Sequence, residues 1–330
     1  TEAETGSGDI ILTAEESVIV SDSVTTNGAA VKITATDGNI TLDGAVNSGS
    51  SGNVSLTAGA NISGTGIISA NVLTAEAGTS ITLDGDNQVS EFTTGTATPS
   101  GTVSLNNTQD LLISVAEAQG NISIENTGEI TLTSIINSTV SSSTGAVSIT
   151  ATGGNIEGMG EIKGNSVTLT TLNTGNINLT GQTTSNAAVD FTAADAITGT
   201  GAITAGGVVT LVSAEDSDIT INDAIKGLRL VIKVGDPSNS QGNGKVIVSD
   251  SITVDNPGAP HEESAAVYIW AKSVERSAGT TTTPGVVELW VDEMPDDFYV
   301  SNIVPVPPLD AASVKFHIHP RREVHLVYRN

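Results

Sequence analysis

The chain has 330 residues, of which 37 are acidic and 12 basic, and its net charge is −25. A field of that sign repels nucleic acids and anionic lipids, so we expect neither as a partner. The absence of cysteine excludes disulfides, zinc–thiolate sites and cysteine nucleophiles. Aromatic residues make up only 3%, and the abundance of Gly, Thr, Ser, Asn, Val and Ile favours β-structure over helix or disorder. No apolar run reaches the roughly 18 residues of a membrane-spanning helix.

The predicted elements begin with a two-strand unit that recurs along the first two thirds of the chain. A strand such as Val31–Ala35 or Ala146–Ala151 is followed by a Gly-Asn turn and a second short strand, as in Gly38–Leu42 and Gly154–Ile156. The second strand of each unit carries an aliphatic anchor, and successive anchors are 18 to 31 residues apart. These anchors are Ile40, Ile62, Ile81, Leu112, Ile130, Ile156, Ile177, Ile197 and Ile219.

A period near 20 residues with three short strands predicts an all-β fold, a right-handed parallel β-helix of about ten or more coils. Alternation within each strand places Val, Ile and Leu inside the solenoid and Thr, Ser, Asn and Asp outside. Gly and Asn are expected at the corners, where the backbone needs a positive φ.

Two coils are longer than the rest. The extra residues fall in Val89–Gly101 and in Asn137–Gly145. Either segment is explained by a tolerated insertion at a corner or by a protruding loop that binds a ligand.

Composition changes near Lys226. The first 225 residues have a net charge of −22, whereas residues 226–330 have −3 and contain all four histidines and both tryptophans. We therefore divide the chain into a regular β-helix over 1–225, wider irregular coils that continue the solenoid over 226–302, and a terminal segment over 303–330. Within that last segment, Ser313–His319 and Glu323–Tyr328 are predicted to form a strand pair that acts as a β-rich cap or assembly module.

The two ends of the solenoid are the predicted assembly interface, because an open end exposes strand edges and apolar core. Strand residues follow soon after the acidic N-terminus, and the C-terminal end is basic and aromatic, so head-to-tail stacking of copies is expected. The interface candidates are Phe316, His317, His319, Arg321, Arg322, Val324, Leu326, Tyr328 and Arg329 at one end, with Ile10 and Leu12 at the other.

Candidate sites for metals and catalysis are sparse. Asp84 and Asp86, and likewise Asp292 and Asp296, offer clustered oxygens for structural Ca²⁺, with plain surface acidity as the alternative. The histidines of the last segment suit Zn²⁺ or Cu²⁺ or are ordinary edge residues. Asp43 and Asp84 follow matching strands and are the carboxylates that a hydrolase would use. Since the first 225 residues contain only two basic residues, we expect no enzyme and no cofactor, calcium apart.

The motifs resemble a known family. Gly38–Leu42 (Gly-Asn-Ile-Thr-Leu), Asn53–Gly59 (Asn-Val-Ser-Leu-Thr-Ala-Gly) and Thr200–Ala205 (Thr-Gly-Ala-Ile-Thr-Ala) are similar to the repeats of filamentous-haemagglutinin-like large exoproteins, the adhesins of two-partner secretion. The resemblance covers about residues 8–225 and implies secretion by a Gram-negative bacterium. The chain lacks the Asn-Pro-Asn-Gly motif of that family's secretion domain.

The sequence thus predicts an extracellular or cell-surface structural protein, a subunit of a bacterial filament or biofilm matrix whose main partner is itself. The alternative is a monomeric adhesin segment that binds glycans or host molecules through its loops. A polysaccharide lyase or hydrolase is the remote alternative.

Overall fold

The structure, a computed structural model, describes residues 8–139, 144–235 and 244–250, and beyond these the strands up to residue 318. Throughout this part of the chain the secondary structure is β, without a helix, and parallel strands stack as a solenoid of about 11 turns. This confirms the predicted fold class.

The strands are given in chain order. In the first four turns they are β1 (Ile10–Ala14), β2 (Val18–Val20), β3 (Val24–Thr25), β4 (Val31–Ala35), β5 (Ile40–Leu42), β6 (Val46–Asn47), β7 (Asn53–Ala58), β8 (Ile62–Gly64), β9 (Ile68–Ala77) and β10 (Ile81–Thr93). The next turns contain β11 (Val103–Asn107), β12 (Leu111–Glu117), β13 (Ile122–Asn126), β14 (Ile130–Leu132), β15 (Ile135–Asn137), β16 (Val147–Ala151), β17 (Ile156–Gly158), β18 (Glu161–Gly164), β19 (Val167–Thr171), β20 (Ile177–Leu179), β21 (Thr183–Ser185) and β22 (Val189–Thr192). They continue with β23 (Ile197–Thr200), β24 (Ile203–Ala205), β25 (Val208–Ser213), β26 (Ile219–Ile221), β27 (Ile225–Gly227), β28 (Arg229–Val234), β29 (Lys245–Val248) and β30 (Ile252–Val254). The last are β31 (Val267–Ala271), β32 (Ser273–Arg276), β33 (Thr281–Thr282), β34 (Val287–Val291), β35 (Ile303–Val304) and β36 (Val314–Ile318).

Strands of successive turns pair in parallel and form ladders that run along the solenoid. The first ladder joins β1, β4, β7, β9, β10, β12, β14, β17, β20, β23, β26, β29 and β32. The second ladder joins β2, β5, β8, β10, β11, β13, β16, β19, β22, β25, β28, β31, β34 and β36. A third, short ladder of β3, β6, β9 and β10 forms the third side of the early turns. A fourth ladder, which begins with β12 and β15 and reaches β35, forms the third side of the later turns.

The core is a set of columns in which aliphatic side chains lie directly above one another. In β16, Val147 and Ile149 are buried, and Ser148 between them faces outward. The same inward position of the second ladder carries Val, Ile or Leu in each paired strand, because alternation keeps every second residue inside. That column comprises Val18, Ile40, Ile62, Ile81, Val103, Ile122, Val147, Val167, Val189, Val209 and Leu230.

The repeat unit shifts by one ladder in the middle of the solenoid. In the early turns the long strands are in the first ladder, as in β4, and the second ladder has rungs of three residues, as in β5 and β8. From β11 onward the second ladder has rungs of four to six residues, such as β11, and the rungs of the first ladder after β12 are three or four residues long, such as β14. The 13-residue strand β10 makes the change, since its Ile81–Leu83 pairs with the second ladder and its Glu91–Thr93 with the first.

This shift corrects the predicted anchor series. Ile81 is followed in its column by Val103, not by Leu112, and the neighbour of Ile130 is Leu111. The long spacing between the anchors Ile81 and Leu112 therefore marks the change of ladder. From Ile130 to Ile219 the predicted anchors do lie in one column.

The corners also differ from the prediction. Among the described residues a positive φ occurs at glycines alone, such as Gly28 (83°) and Gly49 (71°), so the expectation that Asn adopts such a conformation is wrong. Asparagine serves instead as a hydrogen-bond acceptor between turns. The Oδ1 of Asn39, for example, accepts the backbone N–H of Asn61 at 3.0 Å, which satisfies a donor at a corner where the strand ladder is interrupted.

The strands after residue 250 continue the ladders. β31, β34 and β36 extend the second ladder in register. The first half of the strand pair predicted for the last segment is β36, which pairs in parallel with β34 as a further rung. Glu323–Tyr328 lies outside the described residues, so the pair itself stays a prediction. The strand ladders run through position 225 without a break, and the domain boundaries stay predictions.

Candidate functional site

The first described turn leaves part of the apolar core uncovered. Ile10, Leu12 and Val18 are packed against the core but remain partly exposed. One turn further on, their column neighbours Ile33 and Ile40 are 0% exposed. The predicted residues Ile10 and Leu12 thus lie in the outermost turn of the described residues, and the structure adds β2 to it. We call the end faces of β1 and β2 the N-terminal end surface.

The outer side of this turn is apolar as well. Ile11 is 66% and Ile19 65% exposed, at positions where the next turn carries Lys32 and Thr41. Sequence reasoning passed over β2, although the unbroken apolar run Val18–Val20 departs from the alternation of a rung with a polar outer face. Among the described early turns, this is the only one that exposes two large aliphatic side chains on its outer side.

Acidic side chains surround this end. Asp9, Glu15, Glu16 and Asp22 are all exposed, and residues 8–25 contain no Lys or Arg. The Oδ1 of Asp9 accepts the backbone N–H of Ala30 in the second turn at 3.0 Å. The N-terminal end surface therefore combines an apolar centre with a negatively charged rim.

The C-terminal interface candidates are described only in part. β36 places Phe316 opposite Leu289 and His317 opposite Trp290. The remaining candidates lie outside the described residues: His319, Arg321, Arg322, Val324, Leu326, Tyr328 and Arg329. Their assignment to an interface stays a prediction.

The calcium candidates of β10 have partners within the protein. Asp84 and Asp86 are exposed, and each accepts a hydrogen bond from the next turn, from the Oγ of Ser104 at 3.4 Å and the Nδ2 of Asn106 at 3.1 Å. In the part of the chain that the structure describes, no group of three or more His, Cys, Asp or Glu is placed to hold a metal ion. Asp292 and Asp296 lie outside that part.

The candidate carboxylate pair is also at the surface. Asp43 and Asp84 are both exposed and two turns apart, and strand spacing puts such positions about 10 Å from each other. Thr65 lies between them in the sequence register. The arrangement is that of two solvated side chains on the outer face of a rod.

The described residues of the two long coils contact the body of the solenoid. Within Val89–Gly101, the side chains of Val89, Phe92 and Thr94 are 0% exposed, and β10 extends to Thr93. In the second segment the Oγ of Ser138 donates to the backbone oxygen of Gly145 at 2.7 Å and joins its two ends. The described parts of both segments are therefore tied to the solenoid, and the choice between a corner insertion and a ligand-binding loop stays a prediction.

A flat face of hydroxyl groups runs along the later second ladder. Ser148 and Thr150 on β16 face outward, with Thr168 and Thr170 of β19 one turn further on. These hydroxyls make no hydrogen bond to any residue that the structure describes. They form a regular two-dimensional set of hydrogen-bond donors and acceptors on the outer surface.

No helix in the described residues is long and apolar enough to cross a membrane. No protein-family model matches the chain, and no curated protein or solved structure matches it significantly.

Proposed function

We propose that the protein is a structural, non-enzymatic subunit of an extracellular bacterial filament or matrix, assembled by head-to-tail stacking of its β-solenoid. The observation that carries the proposal is the N-terminal end surface. There the core columns of the described residues begin at Leu12 and Val18, which are partly exposed. An open sheet edge with exposed core favours pairing with another strand.

Charge favours a second copy as the partner of this surface. The end surface is rimmed by exposed carboxylates, whereas residues 313–330 contain four Lys or Arg against a single Glu. Opposite charges steer such ends together and disfavour the pairing of like ends. Because the two ends differ, the contact is heterologous and generates an open filament.

Electron microscopy and light scattering of the purified protein over a range of concentrations test the proposal. We expect rods whose length grows with concentration, and we expect deletion of residues 313–330 to leave short particles of one length. Only discrete short particles of the full chain at the highest concentration would contradict the proposal. Turnover of uronate polymers would overturn its non-enzymatic part.

The hydroxyl face favours a second candidate function, adhesion to glycans by single rods. Sugar hydroxyls hydrogen-bond to arrays of Ser and Thr side chains, and Thr168 and Thr170 are central in this array. Binding of the protein to a panel of immobilised polysaccharides tests this function. The double variant Thr168→Val and Thr170→Val should lose that binding, and unchanged binding would exclude the face.

A further inference from the structure

We propose that the rod binds an uncharged, extended polysaccharide with β-1,4 linkages, which lies parallel to the solenoid axis along one column of outward hydroxyl groups. The inference rests on the second candidate function, adhesion to glycans, and adds to it the class of the glycan and its direction. The site is a column of Ser and Thr residues in the second ladder, which we call the hydroxyl column. Its members are Thr41, Ser63, Thr82, Ser104, Ser123, Ser148 and Thr168.

The hydroxyl column is continuous through the change of ladder at β10. Its members occupy the same outward position in successive turns, and the strand spacing of about 4.8 Å makes the column roughly 29 Å long. All of these side chains are partly exposed. Within the described residues only Ser104 uses its hydroxyl, which donates to the Oδ1 of Asp84 at 3.4 Å. The remaining hydroxyls form a straight line of donors and acceptors, which suits an extended chain.

The hydroxyl column carries no charge, although the chain as a whole has a net charge of −25. In the first ladder, the outward column of Val72 contains Glu91 and Glu157. In the fourth ladder, Glu117 and Lys163 belong to one outward column. The field of the whole rod repels an anionic chain such as a polyuronate, and it also repels a second copy laid alongside. An uncharged ligand does not meet this repulsion, so we infer a neutral glycan.

Carboxylates flank the hydroxyl column on alternate turns. Asp43, Asp84 and Glu125 each lie two residues after a member of the column, and all three are exposed. Alternation puts them on the same outer face, about 7 Å from the column along the strand. Successive carboxylates are two turns apart, which is about 10 Å. In a β-1,4-linked chain each sugar is turned over relative to the one before it, so the same edge returns at every second unit and meets a carboxylate acceptor each time.

Binding of short oligosaccharides to the whole chain tests the site. Isothermal titration calorimetry with cellohexaose, an uncharged β-1,4-linked oligomer of glucose, should show binding. Maltohexaose has the same composition but α-1,4 linkages, which curve the chain, so we expect it to bind at least roughly tenfold more weakly. Hexagalacturonate has a carboxylate on every sugar and should not bind.

The test variant removes three hydroxyls from the middle of the column. It combines Thr82→Val, Ser104→Ala and Ser123→Ala, and it should weaken the binding of cellohexaose at least roughly tenfold because several hydrogen bonds are lost together. Circular dichroism verifies that the variant is folded.

The matched control combines Ser55→Ala, Ser114→Ala and Thr131→Val. It removes three hydroxyls of the same kinds, which are also outward and partly exposed but belong to the first ladder. This control should bind cellohexaose as tightly as the unmodified protein does.

Several outcomes would overturn the hydroxyl column as the site. These are unchanged binding in the test variant, binding of maltohexaose as tight as that of cellohexaose, and binding of hexagalacturonate. If only the double variant Thr168→Val and Thr170→Val loses polysaccharide binding, adhesion through the hydroxyl face stands and the column fails. Side-by-side pairs of rods that the test variant abolishes, without any sugar binding, would show that a second copy occupies the column.

A complete lack of binding separates the proposals further. If the protein binds neither cellohexaose nor any immobilised polysaccharide, this inference and adhesion to glycans both fall. The filament proposal then still stands, because it depends on the N-terminal end surface.

Discussion

The side-chain oxygen Oδ1 of Asn39 accepts two hydrogen bonds from Asn61 one turn further on, one from its backbone N–H and one from its Nδ2, each at 3.0 Å. The same device recurs where Asn155 accepts the backbone N–H of Asn176 at 2.8 Å. The Gly-Asn-Ile motif is therefore a means of joining turns at a corner, where the strand ladders leave backbone donors without a carbonyl partner.

Replacing Asn39 by Ala should lower the free energy of unfolding by about 1 kcal/mol, because the backbone N–H of Asn61 loses its acceptor at the surface. Urea unfolding followed by circular dichroism measures the change. Asn173→Ala is the control, since Asn173 is also an exposed corner residue and its side chain makes no hydrogen bond to a described residue. An equal loss in both variants would refute the role of the Asn39 oxygen.

Thr183 should be a site of stabilisation. It is 0% exposed, lies between Ile162 and Ile203 in the fourth ladder, and its Oγ1 has no hydrogen-bond partner. Thr183→Val removes a buried, unpaired hydroxyl without changing the shape of the side chain, so we expect a gain of about 1–2 kcal/mol in the free energy of unfolding.

The control for this prediction is Thr171→Val, where the hydroxyl is used. The Oγ1 of Thr171 donates to the backbone oxygen of Gly175 at 2.7 Å and accepts the N–H of Ala194 at 2.8 Å. This variant should lose about 1–3 kcal/mol because both partners become unpaired. The two threonines therefore give opposite signs in the same denaturation assay, and a loss of stability in both variants would contradict the prediction for Thr183.

Asn107 should be among the most sensitive side chains of the core. It is 0% exposed, its Oδ1 accepts the N–H of Val89 at 2.9 Å, and its Nδ2 donates to Gln109 and to Asn126. Asn107→Ala should cost about 3 kcal/mol or more, since it leaves buried backbone and amide groups without partners. Asn106→Ala, on the outer face of the same strand, should cost less than about 1 kcal/mol. Thermal unfolding distinguishes the two, and similar melting temperatures would argue against a buried polar ladder.

Gly44 should tolerate no side chain. A Cβ atom at this position would overlap the backbone carbonyl of Asp22 in the preceding turn, so a methyl group forces adjacent turns apart. We expect Gly44→Ala to lower the melting temperature by several degrees, as is typical for overpacking that costs about 1–3 kcal/mol. Gly8→Ala is the control, because a Cβ atom at Gly8 would meet nothing within 4 Å. An unchanged melting temperature for Gly44→Ala would show that the turns separate freely.

The fold could be predicted from the sequence because its physical cause is local and periodic. Alternation in Val147–Ala151 and the aliphatic residue after each corner suffice to specify inward and outward faces. The change of ladder at β10 could not be predicted, since Ile81 and Ile130 occur in the same local motif although they belong to different ladders. Local sequence does not encode which neighbouring strand a rung pairs with when several rungs are alike.

The candidate site could be predicted only in part. Ile10 and Leu12 were recognisable as apolar residues close to an end, and the structure places both on a partly exposed surface. The contribution of Val18 and Ile19 depends on β2 being the first described rung of the second ladder, paired with β5 on one side. That placement follows from three-dimensional pairing instead of the spacing of the anchors.

The change of ladder at β10 has a consequence for how the length of such a rod varies. Within either half, one whole turn, such as residues 147–166, can be duplicated or deleted, and the strands that follow it still enter the same ladders. A recombination event between an early and a late copy of the motif would join a turn whose longer strand lies in the first ladder to a turn whose longer strand lies in the second. Growth and shortening by unequal exchange are therefore compatible with folding inside each half, and the junction between the halves is a barrier to them.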